Sequence, residues 1–269
     1  MASVTEAAMG IEQIIRNALE NDGFELHFQP QFTMSESLAG FEALLRLNDP
    51  VRGPIGPDTF IPIAEETGLI VPIGATVLRK ACGQLREWLD EGFTVSKVAV
   101  NVSALEIMGD SFADNVATAS EVAGVDPRML EMELTESAVA RNPVEATRQM
   151  QKLRESGVRL ALDDFGAGYS SFASLKNLPL DTLKIDRSFL AGTSAVPNSL
   201  QLMQTIVDLG HSLGLTVIAE GVETEAQFSM LRQSRCDVVQ GYLTGRPQTA
   251  EQVRAFLADA TAETPVGVG

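Results

Sequence analysis

The sequence contains few residues of the kinds that staple small secreted proteins or bind zinc: two cysteines and two histidines among 269 residues. Cys82 and Cys236 lie far apart, so they form neither a disulfide framework nor the paired spacing of a zinc site. We expect two buried, reduced thiols. We expect His27 and His211 to be structural or surface residues rather than metal ligands.

Long apolar runs are also missing. The longest apolar stretch, residues 69–78, is interrupted by Pro72 and Gly74 and is too short to cross a bilayer. The first ten residues lack the basic region followed by an apolar run with which a secretory signal begins. We therefore expect a soluble, cytoplasmic protein.

Positive charge is scarce, because 20 Lys and Arg residues face 36 Asp and Glu residues, which gives a net charge of −16. So acidic a surface repels phosphate backbones and anionic headgroups, which disfavours binding to nucleic-acid polymers or to membranes. An anionic ligand would need a local cation, either a side chain or a metal ion. Hydrophobic residues at 45% and charged residues at 21% are ordinary for a globular protein and exclude a disordered chain.

Short apolar runs alternate with amphipathic stretches along the chain, and no internal repeat interrupts them. Helical spacing predicts helices over residues 72–91, 143–156, 193–213 and 225–233. Eight strands interleaved with helices in about 250 residues are typical of an α/β protein with a (β/α)8 TIM-like barrel. A doubly wound open sheet is the alternative. The eight predicted strands are residues 24–28, 39–45, 97–102, 130–134, 158–162, 182–185, 216–219 and 237–239.

Polar residues suited to chemistry lie within or directly after nearly every predicted strand. A barrel gathers such residues on one face, because every strand delivers its carboxyl end there. In an open sheet, strands far from the switch point have no reason to carry them. The pattern therefore favours the barrel. The residues are Gln29, Glu42, Asn101, Glu133, Asp163, Asp164, Lys184, Glu220 and Gln240.

The alternation of side chains along each strand predicts which residues face the barrel interior. With period two, Glu133, Asp163 and Lys184 point inward, and the aliphatic residues between them pack on the outer helices. Glu131 and Arg159 would then lie one layer below the mouth on adjacent strands. We expect them to form an ion pair, because two lone buried charges would each cost several kcal/mol.

Five carboxylates would share the mouth of this barrel with one lysine. Without cations they would repel one another and their pKa values would rise. Carboxylate oxygens completed by the amide oxygen of Asn101 suit Mg²⁺ or Mn²⁺, and the adjacent pair Asp163 and Asp164 can serve two ions. The charges of five carboxylates, Lys184 and two divalent ions cancel, so that a phosphodiester could enter. Two such ions clamp the attacking and leaving oxygens of a phosphoryl displacement.

Several motifs in order resemble one known family. The chain resembles the EAL domains, bacterial phosphodiesterases of the second messenger cyclic di-GMP, over roughly residues 20 to 250. The motifs are EALLR at 42–46, FIPIAEETGLI at 60–70, NVS at 101–103, ELTES at 133–137, DDFGAGYSS at 163–171, LKIDRSF at 183–189, AEGVET at 219–224 and QGYLTGRP at 240–247.

The resemblance implies a fold and a set of roles. The fold is a barrel whose first strand is antiparallel to the others. Lys184 is expected to contact and help activate the attacking water, and Glu136 to steady the glycine-hinged loop; with Glu42 they form the expected catalytic set. Gln29, Leu45, Arg46 and Gln240 are expected to hold the substrate or contribute to its pocket. The expected ligands of two Mg²⁺ or Mn²⁺ ions are Glu42, Asn101, Glu133, Asp163, Asp164 and Glu220.

The implied reaction opens one phosphodiester of cyclic di-GMP and releases linear pGpG. The resemblance further implies a homodimer through the loop after the fifth predicted strand. We expect a single domain over residues 5–260, with flexible ends at 1–4 and 261–269, that serves as a stand-alone protein or as the output domain of a longer sensor protein.

Three positions depart from the family pattern. Phe28 replaces a common tyrosine, Leu47 an aromatic residue or histidine, and Ala167 the usual threonine of the loop after Asp164. The first two are changes in packing, whereas the third removes a hydroxyl from the loop of the dimer contacts. A receptor that binds cyclic di-GMP without useful turnover therefore stays an alternative. Another metal-dependent barrel enzyme, such as a lyase, fits the fold but not the motif arginine Arg46.

Overall fold

A computed structural model describes residues 2–166, 175–190 and 199–262. The strands are β1 (Phe24–Thr33), β2 (Leu38–Asp49), β3 (Gly53–Ile55), β4 (Val98–Val102), β5 (Leu130–Thr135), β6 (Arg159–Phe165), β7 (Thr182–Ile185), β8 (Thr216–Ala219), β9 (Val238–Val239) and β10 (Gln248–Thr249). The helices are α1 (Ala2–Glu20), α2 (Pro57–Glu66), α3 (Ile70–Asp90), α4 (Ala104–Ile107), α5 (Phe112–Ala123), α6 (Glu136–Arg141), α7 (Pro143–Glu155), α8 (Ser199–Ser212), α9 (Glu225–Gln233) and α10 (Ala250–Ala262).

Eight of the strands close into a barrel in the order β1, β2, β4, β5, β6, β7, β8, β9 and back to β1. Neighbours pair in parallel from β2 through β9, whereas β1 is antiparallel to both β2 and β9. The two-residue β9 pairs with β1 at Phe32 opposite Val239 and Thr33 opposite Val238. The predicted barrel with an antiparallel first strand is therefore confirmed, and the open sheet is excluded. The short strands β3 and β10 extend β2 and β1.

The outer face of the barrel is covered by helices, and α3, α7, α8 and α9 lie where helices were predicted; residues 193–198 of the predicted helix 193–213 lie outside the described residues. On α3, residues at helical spacing from Ile73 to Trp88 are buried against the strands. The indole of Trp88 contacts the rings of Phe28 and Phe41, with centroids 4.8 and 5.4 Å away. Phe28 thus fills the core at the position where it departs from the family pattern. None of the helices described is long and apolar enough to cross a membrane.

Below the mouth, the barrel interior holds a buried polar cluster of Lys97, Glu131 and Thr182, which we name the lower layer. Lys97 Nζ donates to one carboxylate oxygen of Glu131, and Thr182 Oγ1 donates to the other at 2.8 Å. Gly40 leaves room for Lys97, since a Cβ there would lie 2.6 Å from the lysine Cγ. The predicted pair of Glu131 with Arg159 is wrong. Arg159 begins β6 and is exposed, so its guanidinium stays in water.

The cysteines and histidines lie as expected. Cys82 and Cys236 are buried free thiols, and burial raises their pKa values to about 11 and about 12. His211 Nε2 lies 2.9 Å from Asp237 Oδ2, at the start of the chain segment that leads into β9. His27 lies on β1 opposite Thr249 and is half-buried.

Candidate active site

The centre of the barrel mouth is Lys184, which is completely buried on β7. Its Nζ lies 2.6 Å from Glu133 Oε2 and 2.6 Å from Glu220 Oε1, which come from β5 and the end of β8. Two further carboxylates stand slightly farther away: Asp163 Oδ2 at 3.5 Å and Glu42 Oε2 at 3.6 Å. Four carboxylates from four strands therefore surround one ammonium group.

Asp163 and Asp164 reach the same mouth although they are neighbours on a strand. Side chains normally alternate between the two faces, but Asp164 has φ +54° and the pairing of β6 with β7 shifts register between Leu162 and Phe165. The amide of Asp164 donates to Asp163 Oδ1 at 2.8 Å. As a result, carboxylate oxygens of Asp163, Asp164 and Glu220 lie within 4.8 Å of one another.

Two amide side chains hold the carboxylate of Glu42, which points inward from β2. Asn101 Nδ2 donates to Glu42 Oε1 at 2.6 Å, and Gln240 Nε2 donates to Glu42 Oε2 at 2.5 Å. Asn101 is exposed at the end of β4, whereas Glu42 and Gln240 are buried. The amide of Asn101 thus stands at the solvent edge of the site.

The crowding of charge moves the ionisation of these groups in different directions. Burial, with Glu42 as the next cause, raises the pKa of Glu133 well above its usual value. Burial also raises the pKa of Glu220 to about 8, against the opposing effect of Lys184. For Glu42, burial is outweighed by Lys184 and by the amides of Gln240 and Asn101, so its pKa is lowered. Burial opposes the charge of Lys184, but the surrounding carboxylates raise its pKa well above the usual value.

The donor set fits hard divalent cations. Glu133 Oε1 is buried and has no hydrogen-bond partner among the described residues, although a buried carboxylate oxygen normally has one. Asp163, Asp164 and Glu220 offer three more oxygens close together. Oxygen ligands of this kind suit Mg²⁺ or Mn²⁺ rather than zinc. All six residues predicted as metal ligands lie at this mouth, connected to one another through Lys184, Glu42 and the aspartate pair.

A cavity of about 580 Å³ opens beside these carboxylates. Leu45, Arg46, Asn101 and Asp164 are among its lining residues, so two of the predicted substrate residues face the same space as two of the predicted ligands. Arg46 Nη1 donates to the carbonyl of Leu45 at 2.9 Å, and burial lowers its pKa. The cavity joins the acidic mouth to a half-buried guanidinium.

Gln29 and Gln240 meet at the same end of the barrel but are bonded to each other rather than open to the cavity. Gln240 Nε2 donates to Gln29 Oε1 at 3.1 Å, and Gln29 Nε2 donates to the carbonyl of Gly245 at 2.9 Å. Both side chains are buried. Their arrangement fits support of Glu42 at least as well as direct contact with a ligand.

Glu136 is the first residue of α6 and is buried, with Oε2 unpaired among the residues that the structure describes. Glu136 is predicted to steady the loop after Asp164. Residues 167–174 of that loop, Ala167 among them, lie outside the described residues. The role of Glu136 and the effect of Ala167 therefore stay predictions.

Three buried polar residues of the barrel interior and the cavity have no place in the sequence prediction. Gln31 is completely buried two residues after Gln29, and the period of β1 would have placed it inside the barrel. Lys97 forms part of the lower layer. Glu106 lines the cavity and caps α4 through Ser103, and burial raises its pKa to about 7. The spacing of Ser103 and Glu106 is a capping-box pattern that the sequence displays.

Comparisons with known proteins agree with this architecture. A family model described as the EAL domain matches residues 12–247. The chain is 42% identical over 248 residues to cyclic di-GMP phosphodiesterase NbdA of Pseudomonas aeruginosa, covering 92% of this chain and 32% of NbdA. It is 40% identical over 245 residues to oxygen sensor protein DosP of Escherichia coli, covering 91% of this chain and 31% of DosP. The chain thus spans about a third of the length of these curated relatives.

Solved structures match over nearly the whole chain. The structure of PaMucR phosphodiesterase in complex with c-di-GMP, MucR being a Pseudomonas aeruginosa protein, is 42% identical with a TM-score of 0.87. The match covers 91% of this chain and 99% of that one. The ordered motifs, the antiparallel first strand and these matches lead to one conclusion: the chain belongs to the EAL domain family.

Proposed function

We propose that this chain is a metal-dependent phosphodiesterase that hydrolyses cyclic di-GMP to linear pGpG and so ends the signal of this second messenger. The observation that carries the proposal is the barrel mouth, where four carboxylates surround Lys184 and where Asn101 and Asp164 line a cavity that Arg46 also lines. The relatives support it, because NbdA is named a cyclic di-GMP phosphodiesterase and the MucR structure is a complex with c-di-GMP.

Two divalent cations, Mg²⁺ or Mn²⁺, would be held at this mouth. When bound, they would supply Lewis-acid stabilisation of the negative charge that develops during displacement at phosphorus. Glu133 Oε1, which is buried without a described partner, supports this assignment, as does the group of Asp163, Asp164 and Glu220. The proposed ligands are Glu42, Asn101, Glu133, Asp163, Asp164 and Glu220.

The side chains of the chain itself have separate tasks. Lys184 stays protonated, because the carboxylates around it raise its pKa, so it acts as a hydrogen-bond donor that orients the attacking water. Arg46 offers a planar donor fork to a phosphate oxygen pair. Leu45 lines the same cavity and contacts apolar parts of the substrate. Gln29 and Gln240 stabilise the inner side of the pocket and hold Glu42.

Further features of the protein are part of the proposal. Residues 5–260 form one domain, which works in the cytoplasm as a stand-alone enzyme or as the output domain of a longer sensor protein. Glu136 steadies the loop after Asp164, and this loop provides the contact of a homodimer. The family membership and the position of Glu136 at the start of α6, directly after β5, support this part.

Product analysis tests the proposed activity. The protein is incubated with cyclic di-GMP and Mg²⁺ or Mn²⁺, with a chelator control, and the products are separated by chromatography. We expect pGpG only with metal, and none from Glu42→Ala, which removes a proposed ligand while the fold survives. The control Glu121→Ala, an exposed position on α5, keeps full activity. Tight binding of cyclic di-GMP without product would instead assign the chain to the receptor class, and turnover by Glu42→Ala would refute the metal site.

A further inference from the structure

Three glutamine side chains form a continuous chain of hydrogen bonds inside the barrel. Gln31 Nε2 donates to Gln240 Oε1 at 2.9 Å, and Gln240 Nε2 donates both to Glu42 Oε2 and to Gln29 Oε1. Gln29 Nε2 then donates to the carbonyl of Gly245. All three glutamines are buried, and Gln31 and Gln240 are 0% and 4% exposed.

The chemistry of these groups allows one arrangement of the amides. An ionised carboxylate can only accept hydrogen bonds, so Gln240 must turn its nitrogen toward Glu42 and its oxygen away from it. That buried oxygen needs a donor, because leaving it unpaired costs about 1–3 kcal/mol. Gln31 Nε2 is the donor that the described residues place there. The orientation of Gln240 is therefore fixed from both ends.

We propose that Gln31 is a positioning residue of the proposed reaction, which fixes the amide of Gln240 and thereby holds the carboxylate of Glu42 at the mouth. The inference rests on the proposed function, since Glu42 is one of the proposed metal ligands. Among the described residues, Gln31 does not line the cavity and makes no hydrogen bond to a proposed metal ligand. It acts on the site through Gln240 alone.

The position of Gln31 in the barrel explains why this support is needed there. Gln31 lies on β1 and Gln240 directly follows β9, which pairs with β1 through two residues only. Glu42 lies on β2, on the other side of β1. The amide chain thus links three neighbouring strands at a place where the backbone ladder of β9 is short.

The test compares two buried glutamines that differ in their distance from the site. Gln31→Met keeps the length of the side chain and removes the donor. The matched control is Gln149→Met on α7, because Gln149 is also 0% exposed, also uses its Nε2 as a donor, and also has an Oε1 without a described partner. A purely structural role predicts that both variants lose stability alike and that neither changes the binding of metal.

The readout is the affinity for Mn²⁺, measured by calorimetry on the full chain, together with kcat and KM for cyclic di-GMP. We expect Gln31→Met to bind Mn²⁺ about tenfold more weakly, at the lower end of the effects known for residues that support metal ligands. Its kcat falls at limiting metal while KM changes less than twofold, and Gln149→Met matches the wild type. Wild-type Mn²⁺ affinity in a folded Gln31→Met protein overturns the proposal, as does an equal loss in Gln149→Met.

A double variant decides whether Gln31 acts through Gln240. If it does, Gln31→Met combined with Gln240→Met binds Mn²⁺ no more weakly than Gln240→Met alone, because coupled residues are not additive. Additive losses would overturn the proposed route.

Should Gln31→Met fail to fold, Gln31→Glu is the second variant. It keeps the shape of the side chain, puts an oxygen opposite Gln240 Oε1 and is expected to show the same loss of Mn²⁺ affinity at pH 8. A wild type that neither binds Mn²⁺ nor forms pGpG would overturn the proposed function itself, and this inference with it.

Discussion

The barrel interior contains two polar layers, one above the other, that share strands β5 and β7 but differ in their balance of charge. In the lower layer, one lysine meets one carboxylate, and each oxygen of Glu131 has its own donor, Lys97 or Thr182. In the mouth, Lys184 meets four carboxylates within 4 Å, and Glu133 Oε1 has no partner in the described part of the chain.

The difference separates a structural cluster from a functional one. A buried ion pair with all its hydrogen bonds satisfied keeps a unique arrangement and has nothing left to offer a ligand. In a layer with surplus carboxylates the negative charges repel one another, and bound cations relieve this repulsion and stabilise the layer. Because both layers are buried, exposure does not distinguish the functional cluster from the structural one. The balance of hydrogen-bond donors and acceptors does.

The largest expected effect comes from breaking the lower layer. Lys97→Met leaves the carboxylate of Glu131 buried without its cation, so the free energy of unfolding should fall by about 3–5 kcal/mol. Urea denaturation followed by circular dichroism measures the loss. The double variant Lys97→Met with Glu131→Leu should recover most of it, because no buried charge is left alone. A loss below about 1 kcal/mol in the single variant would contradict the assigned structural role.

The mouth should show its excess of negative charge as a pH dependence. In the metal-free protein the pKa of Glu220 is raised from 4.5 to about 8, so the folded state binds more protons than the unfolded state between these values. Stability is then highest at the acidic end of this window and falls as pH rises toward 8, by up to about 1.4 kcal/mol per pH unit.

Denaturation of the protein in chelator at several values between pH 5 and pH 8.5 checks this slope. Glu220→Gln removes the titrating carboxyl and should flatten the profile, whereas Glu121→Gln, an exposed glutamate on α5, should leave it unchanged. A profile that rises with pH, or one that Glu220→Gln does not change, would show that the mouth is not crowded with charge.

The smallest effect is expected at Arg159. Because its side chain is exposed and Glu131 is already paired, Arg159→Ala should change the free energy of unfolding by less than about 0.5 kcal/mol. The same denaturation experiment measures it beside Lys97→Met. A loss of several kcal/mol would place Arg159 in the lower layer after all.

Strand positions and the inward residues of the mouth could be predicted from the sequence, because both follow from apolar runs and the period of two. The eight predicted strands correspond to the eight barrel strands, and Glu133, Asp163 and Lys184 point inward as the period requires. The antiparallel direction of β1 is not a property of spacing, since a run of apolar residues reads the same in both directions. It followed from the family resemblance.

The ion-pair partners of the buried charged residues could not be predicted from the sequence. Glu131 and Arg159 are opposite each other in register, yet Arg159 stays exposed, and Lys97, in the space that Gly40 leaves, pairs with Glu131. Likewise, the positive φ of Asp164 breaks the alternation that period two assumes. Both depend on local packing and backbone geometry, which a pattern of residue types does not contain.

The antiparallel first strand has a consequence for how the barrel opens. β1 pairs with β2 along most of its length, from Phe24 opposite Leu47 to Phe32 opposite Leu38, but it pairs with β9 through two residues only. Local unfolding begins where a structure has the fewest protected amides. We therefore expect the pairing of β1 with β9 to open first. A cation bound by Glu42 and by carboxylates on other strands would connect β2 to those strands and oppose this opening. Slow amide hydrogen exchange would then extend from the β1–β2 hairpin to the whole barrel.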